Sequence, residues 1–247
     1  MKIAVTGKGG VGKTTLSSGL ALLFAGEGRQ VIAIDADPDA NLAATLGFPE
    51  PGKIVPLIEM EDLIAERTGA QKGSYGTFFT LNPRVDDIPE EYCVQHRGIR
   101  MLVMGAEKGG GGGCFCPESA FLQALLAHLL VGRDDVVILD MEAGIEHLSR
   151  GTSQGVDAFL IVVEPSRRSI ETAFRIRELA ADLTVRNVFV VGNKIREPAD
   201  VAFIEEHTLG LEFLGSICYN RDVTDDVDER TLEEIGRIKK RLIEKLG

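Results

Sequence analysis

Long apolar runs are missing from this sequence. No stretch approaches the ~18 uninterrupted apolar residues of a membrane span, and the first residues carry no basic segment followed by an apolar run and a cleavage site. A cytosolic chain is the expectation. Cysteine is scarce: 4 residues in 247 (Cys93, Cys114, Cys116 and Cys218), too few for a disulfide scaffold at this length. Basic charge is also short. Lys and Arg total 27 against 38 Asp and Glu, a formal charge of -11. That balance disfavours generic electrostatic binding to nucleic acid or anionic lipid, so any phosphate must be gripped locally. What is present suffices to fold: 44% hydrophobic and 26% charged residues argue against disorder and for a sizeable core. At roughly 150 residues per domain, the length allows one large α/β domain or two small ones.

Short β-branched or apolar runs flanked by Gly, Asp or Pro recur at Lys2 to Thr6, Val31 to Asp35, Ile99 to Met104, Val136 to Asp140, Phe159 to Val163, Val188 to Val191 and Phe213 to Ile217. They read as buried parallel strands. Helical patterns lie between them, clearest in Pro117 to Leu130 and Ser169 to Leu183. The alternation predicts a single α/β domain built on one doubly wound, mostly parallel sheet with helices on both faces. Residues 49 to 98 break the rhythm with Gly, Pro and charge and contain a weak strand candidate at Thr77 to Leu81. This segment is expected to be an insertion over the ligand-binding edge of the sheet. The run Gly109 to Gly113 reads as a flexible or closely approaching loop. Thr231 to Leu246 is amphipathic but lacks bulky aromatics, so it is expected to pack on the sheet rather than insert in a membrane.

The strongest chemistry lies at the start. Gly7-Lys8-Gly9-Gly10-Val11-Gly12-Lys13-Thr14 fits G-x-x-x-x-G-K-[ST], after an apolar strand and before a helix. Glycines let backbone N–H groups turn inward on the β- and γ-phosphates, and the helix N-terminus adds its positive dipole. The nucleotide is therefore expected on Gly9, Gly10, Val11, Gly12, Lys13, Thr14 and Thr15, with Lys13 on phosphate oxygens and the Thr14 hydroxyl on magnesium. Val136 to Asp140 is an apolar strand ending in an acid, the form whose carboxylate holds magnesium directly or through water. Asp35-Ala36-Asp37-Pro38-Asp39-Ala40-Asn41 places further acids at a strand's carboxyl end beside the loop.

Lys8, directly after the first glycine, makes the run Lys-Gly-Gly-Val-Gly-Lys-Thr-Thr, which resembles the deviant Walker A of the MinD/ParA/nitrogenase-iron-protein class of ATPases. The resemblance implies that Lys8 reaches the nucleotide of the opposite subunit in an ATP-sandwich dimer. It implies that Asp37 orients the attacking water, and that Asp35 supports the magnesium and lysine network with Asp140. It further implies that Asp140 to Gly144 forms a switch responding to the γ-phosphate. Glu142 departs from that class, whose motif has no acid there. Asn193, at the end of a strand, would contact the adenine base, and Ile217 to Asn220 resembles a second base-contact loop.

Cys114-Phe115-Cys116 sets this chain apart. Pro117 suits the first position of a helix, placing Cys116 at or next to an N-cap, where the dipole favours thiolate. Two thiolates rarely complete a coordination sphere, but a twofold axis would bring a second pair across. Zinc, nickel, copper(I) or iron–sulfur would all accept such ligands. Together with the deviant Walker A, the pair resembles the CooC-type carbon monoxide dehydrogenase maturation ATPases. That resemblance implies nickel held between two protomers by Cys114 and Cys116, zinc being possible in the same site. It also implies ATP-linked nickel insertion into carbon monoxide dehydrogenase or the related acetyl-CoA synthase, and a homodimer formed on ATP or metal binding. The rival expectations are a positioning or partitioning ATPase acting on membrane or DNA, and an iron–sulfur ATPase like the nitrogenase iron protein. Cys93 and Cys218 read as buried apolar residues.

Overall fold

The structure, a computed structural model, describes residues 1–70, 78–105, 116–131, 134–143, 155–220 and 227–247. In chain order the elements are β1 (Lys2–Gly7), α1 (Lys13–Gly26), β2 (Val31–Ala36), α2 (Leu42–Thr45), α3 (Glu61–Thr68), α4 (Ile88–Glu91), β3 (Val94–His96), β4 (Ile99–Val103), α5 (Pro117–Val131), β5 (Val136–Met141), β6 (Ala158–Val163), α6 (Arg167–Asp182), β7 (Val188–Ile195), α7 (Pro198–His207), β8 (Glu212–Cys218) and α8 (Glu229–Leu246). Among these residues eight strands form one sheet in the order β3-β4-β2-β5-β1-β6-β7-β8. All pairs are parallel except β3 with β4. The sheet is the doubly wound, mostly parallel one that the alternation predicts.

β1, β2, β5 and β6 are buried along their whole length, because helices cover both faces and leave no side for polar residues. One face packs α1 and α8 through Phe24, Leu20, Ile235 and Ile238; the other packs α5 through Phe121, Leu125 and Leu129. α8 is capped by Asp228, whose side chain accepts from Thr231 N at 2.8 Å. Its buried side includes Ile235, Ile238 and Leu242. On that side the Lys239 ammonium lies 4.5 Å from the Phe24 ring centroid and pairs with Glu27. Among the described residues no helix is long and apolar enough to cross a membrane.

The segment from Pro49 to Gly98 contributes Leu57, Leu63, Ile64, Val85 and Ile88 to the same core cluster as α5. Its bidentate Arg67–Asp87 pair ties α3 to the chain before α4. Of the strand candidate Thr77 to Leu81, Thr77 lies outside the described residues, and Phe78 to Leu81 is not a strand; Phe78 is fully exposed, with no sheet face to cover it. The added strand is instead β3, which turns into β4 through Arg97 and Gly98, both at positive φ (49° and 76°). Gly109 to Gly113 lies outside the described residues.

The connection from β1 leads to β2 on one side of the sheet, and that from β6 leads to β7 on the other. The crevice outside the carboxyl ends of β1 and β6 is therefore the topological switch point, where this architecture places ligands.

Candidate nucleotide site

The loop between β1 and α1 opens at that crevice. Gly7 pairs with Val162 of β6, and a Cβ on it would come 2.5 Å from the Val162 carbonyl oxygen. Val11 is completely buried and anchors the loop beneath. Gly12 is the N-cap of α1 in the left-handed region (φ 95°); no side chain caps the helix and no acid sits in its first turn. The uncapped first-turn amides and the helix dipole are thus presented to an anion. Thr14 and Thr15 stand half-buried in that turn.

Three carboxylates surround the loop. Asp35 and Asp140 sit opposite each other in the β2–β5 register. Asp140 Oδ2 accepts from Thr14 Oγ1 at 2.7 Å and Oδ1 from Ser17 Oγ at 3.1 Å. Asp35 Oδ2 accepts from Leu42 N at 2.9 Å and Oδ1 from Asp37 N at 3.2 Å. Burial pushes Asp140 up to about 7, with the Asp35 charge adding to the rise against the bonds from Thr14 and Ser17 and the Lys13 charge. Burial likewise pushes Asp35 up to about 6, against its two backbone hydrogen bonds. Two desolvated carboxylates beside a threonine hydroxyl form a hard oxygen donor set, which fits magnesium. Asp37 faces the loop from the other side, its Oδ2 3.2 Å from Lys13 Nζ in a pair almost closed to solvent.

A second group of contacts was not legible in the sequence. Asn193 is 6% exposed; its Nδ2 donates to Val11 O at 2.8 Å and its Oδ1 accepts from Lys194 N at 2.7 Å. Lys194, at φ 59°, sends its Nζ to Gly10 O at 2.6 Å. Glu164, directly after β6, takes Lys194 Nζ on Oε2 and Lys8 Nζ on Oε1, each at 3.4 Å. Its own N–H donates to Ser169 Oγ at 3.1 Å. Burial alone would raise the Glu164 carboxyl, but the two lysines outweigh it and hold it below the usual glutamate range. Lys8 and Lys194 are each partly exposed.

Of the remaining expected residues, Cys116 precedes α5 as the sequence suggests: its Sγ accepts from Ser119 N at 3.4 Å, and its carbonyl from Ala120 N at 3.1 Å. Cys114 and Gly144 lie outside the described residues. Glu142 is exposed, and its carbonyl accepts from Thr6 Oγ1 at 2.7 Å. At the expected second base-contact loop, Arg196 lies over the Tyr219 ring at 4.6 Å, and Asn220 donates to Asp228 Oδ2 at 2.8 Å. Cys218 is half-buried, with its thiol pushed up by burial. Cys93 packs at the edge of the α5 core.

A doubly wound sheet carrying a glycine loop, a helix N-terminus and a lysine at its switch point is the architecture of a phosphate-loop nucleotide-binding protein. Residues 2–232 match the family described as the CobQ/CobB/MinD/ParA nucleotide binding domain. The chain is 50% identical over 222 residues to the carbon monoxide dehydrogenase accessory protein CooC of Rhodospirillum rubrum, covering 89% of this chain and 84% of that one. It is 46% identical over 248 residues to an uncharacterised ATP-binding protein of Methanocaldococcus jannaschii, covering 96% of both. Among solved structures, the MinD cell division protein of Aquifex aeolicus superposes with a TM-score of 0.69 at 23% identity, over 99% of this chain and 98% of that one. The chain belongs to the CobQ/CobB/MinD/ParA nucleotide-binding family, and within it to the CooC-type members; it is an ATPase.

Proposed function

We propose that the protein is an ATP-dependent metallochaperone that binds nickel through Cys114 and Cys116 across a homodimer and assists its insertion into carbon monoxide dehydrogenase or acetyl-CoA synthase. The observation that carries this reading is the 50% identity, over 89% of the chain, to a carbon monoxide dehydrogenase accessory protein. Nickel is the cargo; zinc is accepted by the same thiolate pair.

The ATPase steps follow from the residues around the loop. Lys13 is neutralised by Asp37 at 3.2 Å. An arriving nucleotide offers Lys13 phosphate oxygens in place of that carboxylate, and Asp37, released, faces the γ-phosphate side, where it orients the attacking water. Thr14 and Asp140 would hold magnesium, with Asp35 behind them; the ion would supply positive charge to offset that of the phosphates. Lys8, half-exposed beside the loop, bridges to the phosphates of the partner subunit.

Closing the dimer changes the environment of the cysteine pair because Cys116 caps α5, which shares one core cluster with β2, with β5 that leads into the Asp140 to Gly144 switch, and with the 49–98 segment. Coupling requires that the metal bind the two nucleotide states differently. Nickel affinity measured with ADP and with a non-hydrolysable ATP analogue is expected to differ by tenfold or so, about the middle of the usual coupling range. Equal affinities would contradict the reading.

A further inference from the structure

Two polar side chains at the end of β7 touch the phosphate loop. Asn193 Nδ2 donates to Val11 O at 2.8 Å, and Lys194 Nζ donates to Gly10 O at 2.6 Å. Both bonds span more than 180 residues of sequence, so they are tertiary and not part of the loop's own turn. The place of Lys194 is enforced: it sits in the left-handed region at φ 59°, a conformation costly for a residue with a Cβ, at an irregularity in the β7–β8 pairing between Gly192 and Ile195. That bend aims its side chain at the loop, where Glu164 Oε2 meets its ammonium at 3.4 Å. Gly12 completes the fit, since a Cβ there would lie 2.0 Å from Asn193 Nδ2.

We propose that Asn193 and Lys194 are positioning residues of the ATPase: they pin the Gly10 and Val11 carbonyls away from the nucleotide, and Glu164 orients Lys194 to do so. In a trans peptide the N–H points opposite to the preceding C=O. Fixing the carbonyls of residues 10 and 11 therefore fixes the amides of Val11 and Gly12, and keeps two carbonyl dipoles from turning toward phosphate oxygens. Glu164 also holds Lys8 at 3.4 Å, so one carboxylate links the bracket to the lysine that reaches across the dimer. This role is distinct from the base contact implied for Asn193, because a loop bracket acts on the polyphosphate whatever is attached to it.

The probe that separates the two is a ligand without a base. Binding of magnesium tripolyphosphate, ADP and a non-hydrolysable ATP analogue is measured for the full chain and for Asn193→Ala, Lys194→Met, Lys194→Arg and Glu164→Gln. Loss of one charge-assisted hydrogen bond corresponds to roughly a tenfold loss of affinity or more. Lys194→Met and Asn193→Ala are each expected to weaken all three ligands by the same factor, with the thermal midpoint of the nucleotide-free protein nearly unchanged for Lys194→Met and lowered for the buried Asn193→Ala. Lys194→Arg, which keeps a cation between Glu164 and the Gly10 carbonyl, is expected to recover most of the loss, and Glu164→Gln to show a smaller, threefold or so, loss of the same kind. Weakening of ADP with tripolyphosphate untouched would make these residues base contacts and overturn the proposal. So would unchanged binding of all three ligands, or a Lys194→Arg variant as weak as Lys194→Met. If Asn193→Ala alone fails to fold, the Lys194 pair, whose side chain is 40% exposed, still decides the matter. The ATP-analogue measurement needs no dimer or nickel, so failure of the chaperone reading leaves this test intact.

Discussion

Asp35 and Asp140 are taken out of water side by side, and their titration is the measurable signature of a cation site. Unfolded aspartates give up their protons near 3.9, whereas burial raises the folded values to about 6 for Asp35 and about 7 for Asp140. Protonation therefore favours the folded, nucleotide-free chain below the unfolded value, and that contribution is lost as pH rises through 6 and 7. The thermal midpoint of nucleotide-free protein is expected to fall between pH 5 and pH 8. Magnesium with ADP should flatten the decline, and Asp140→Asn should remove most of it; a flat profile without ligand would contradict this account of the pair. Asp37 is a different case. Asp37→Asn removes the carboxylate that neutralises Lys13 and that we propose orients the attacking water, so kcat should drop roughly 100- to 10,000-fold while ADP binding is kept or tightened. An unchanged kcat in a steady-state ATPase assay would assign the water to another group.

At the scale of elements, the β1–loop–α1 unit was legible because its whole logic is local: an apolar strand, glycines where backbone must crowd, and a lysine and threonine opening a helix. Gly12 shows how narrow that logic is. Alanine there adds left-handed strain of ~1–2 kcal/mol and drives Asn193 off Val11, so Gly12→Ala should lose nucleotide binding tenfold or more in calorimetric titration with the fold intact. α8 illustrates a different kind of anchoring. Its cap at Asp228 accepts from Thr231 N and holds Asn220 as well, and Asp228→Ala should cost ~1 kcal/mol, lowering the thermal midpoint by roughly 2–4 °C. Other parts were hidden for physical reasons. β3 is three residues, two half-buried around an exposed Gln95, with no apolar run, and its turn uses Arg97 at positive φ, where propensity points to Asn or Gly. The core residues Leu57, Leu63, Ile64, Val85 and Ile88 are scattered among prolines and charges, so their shared burial with α5 exists only in three dimensions. Glu164, Lys194 and the loop carbonyls meet across separations that no pattern along the chain encodes.

Taken as a whole molecule, the chain places an ATPase site at the carboxyl ends of the central strands and a cysteine at the head of a helix packed against the same sheet. A net charge of -11 disfavours general electrostatic attraction of phosphate, so the nucleotide response is expected to be only weakly sensitive to salt. Its proposed cargo site is half complete in one protomer, because two thiolates leave a soft metal undercoordinated and a twofold axis supplies the rest. The most direct test is the metal content of anaerobically prepared protein offered nickel, zinc and iron, compared with Cys114→Ser and Cys116→Ser. About one nickel per two chains, lost in both variants, is the expected result and would set the metal on the dimer axis. Metal binding that survives both substitutions, or iron in a cluster instead of nickel, would contradict a CxC nickel site and leave an ATPase whose cargo lies elsewhere.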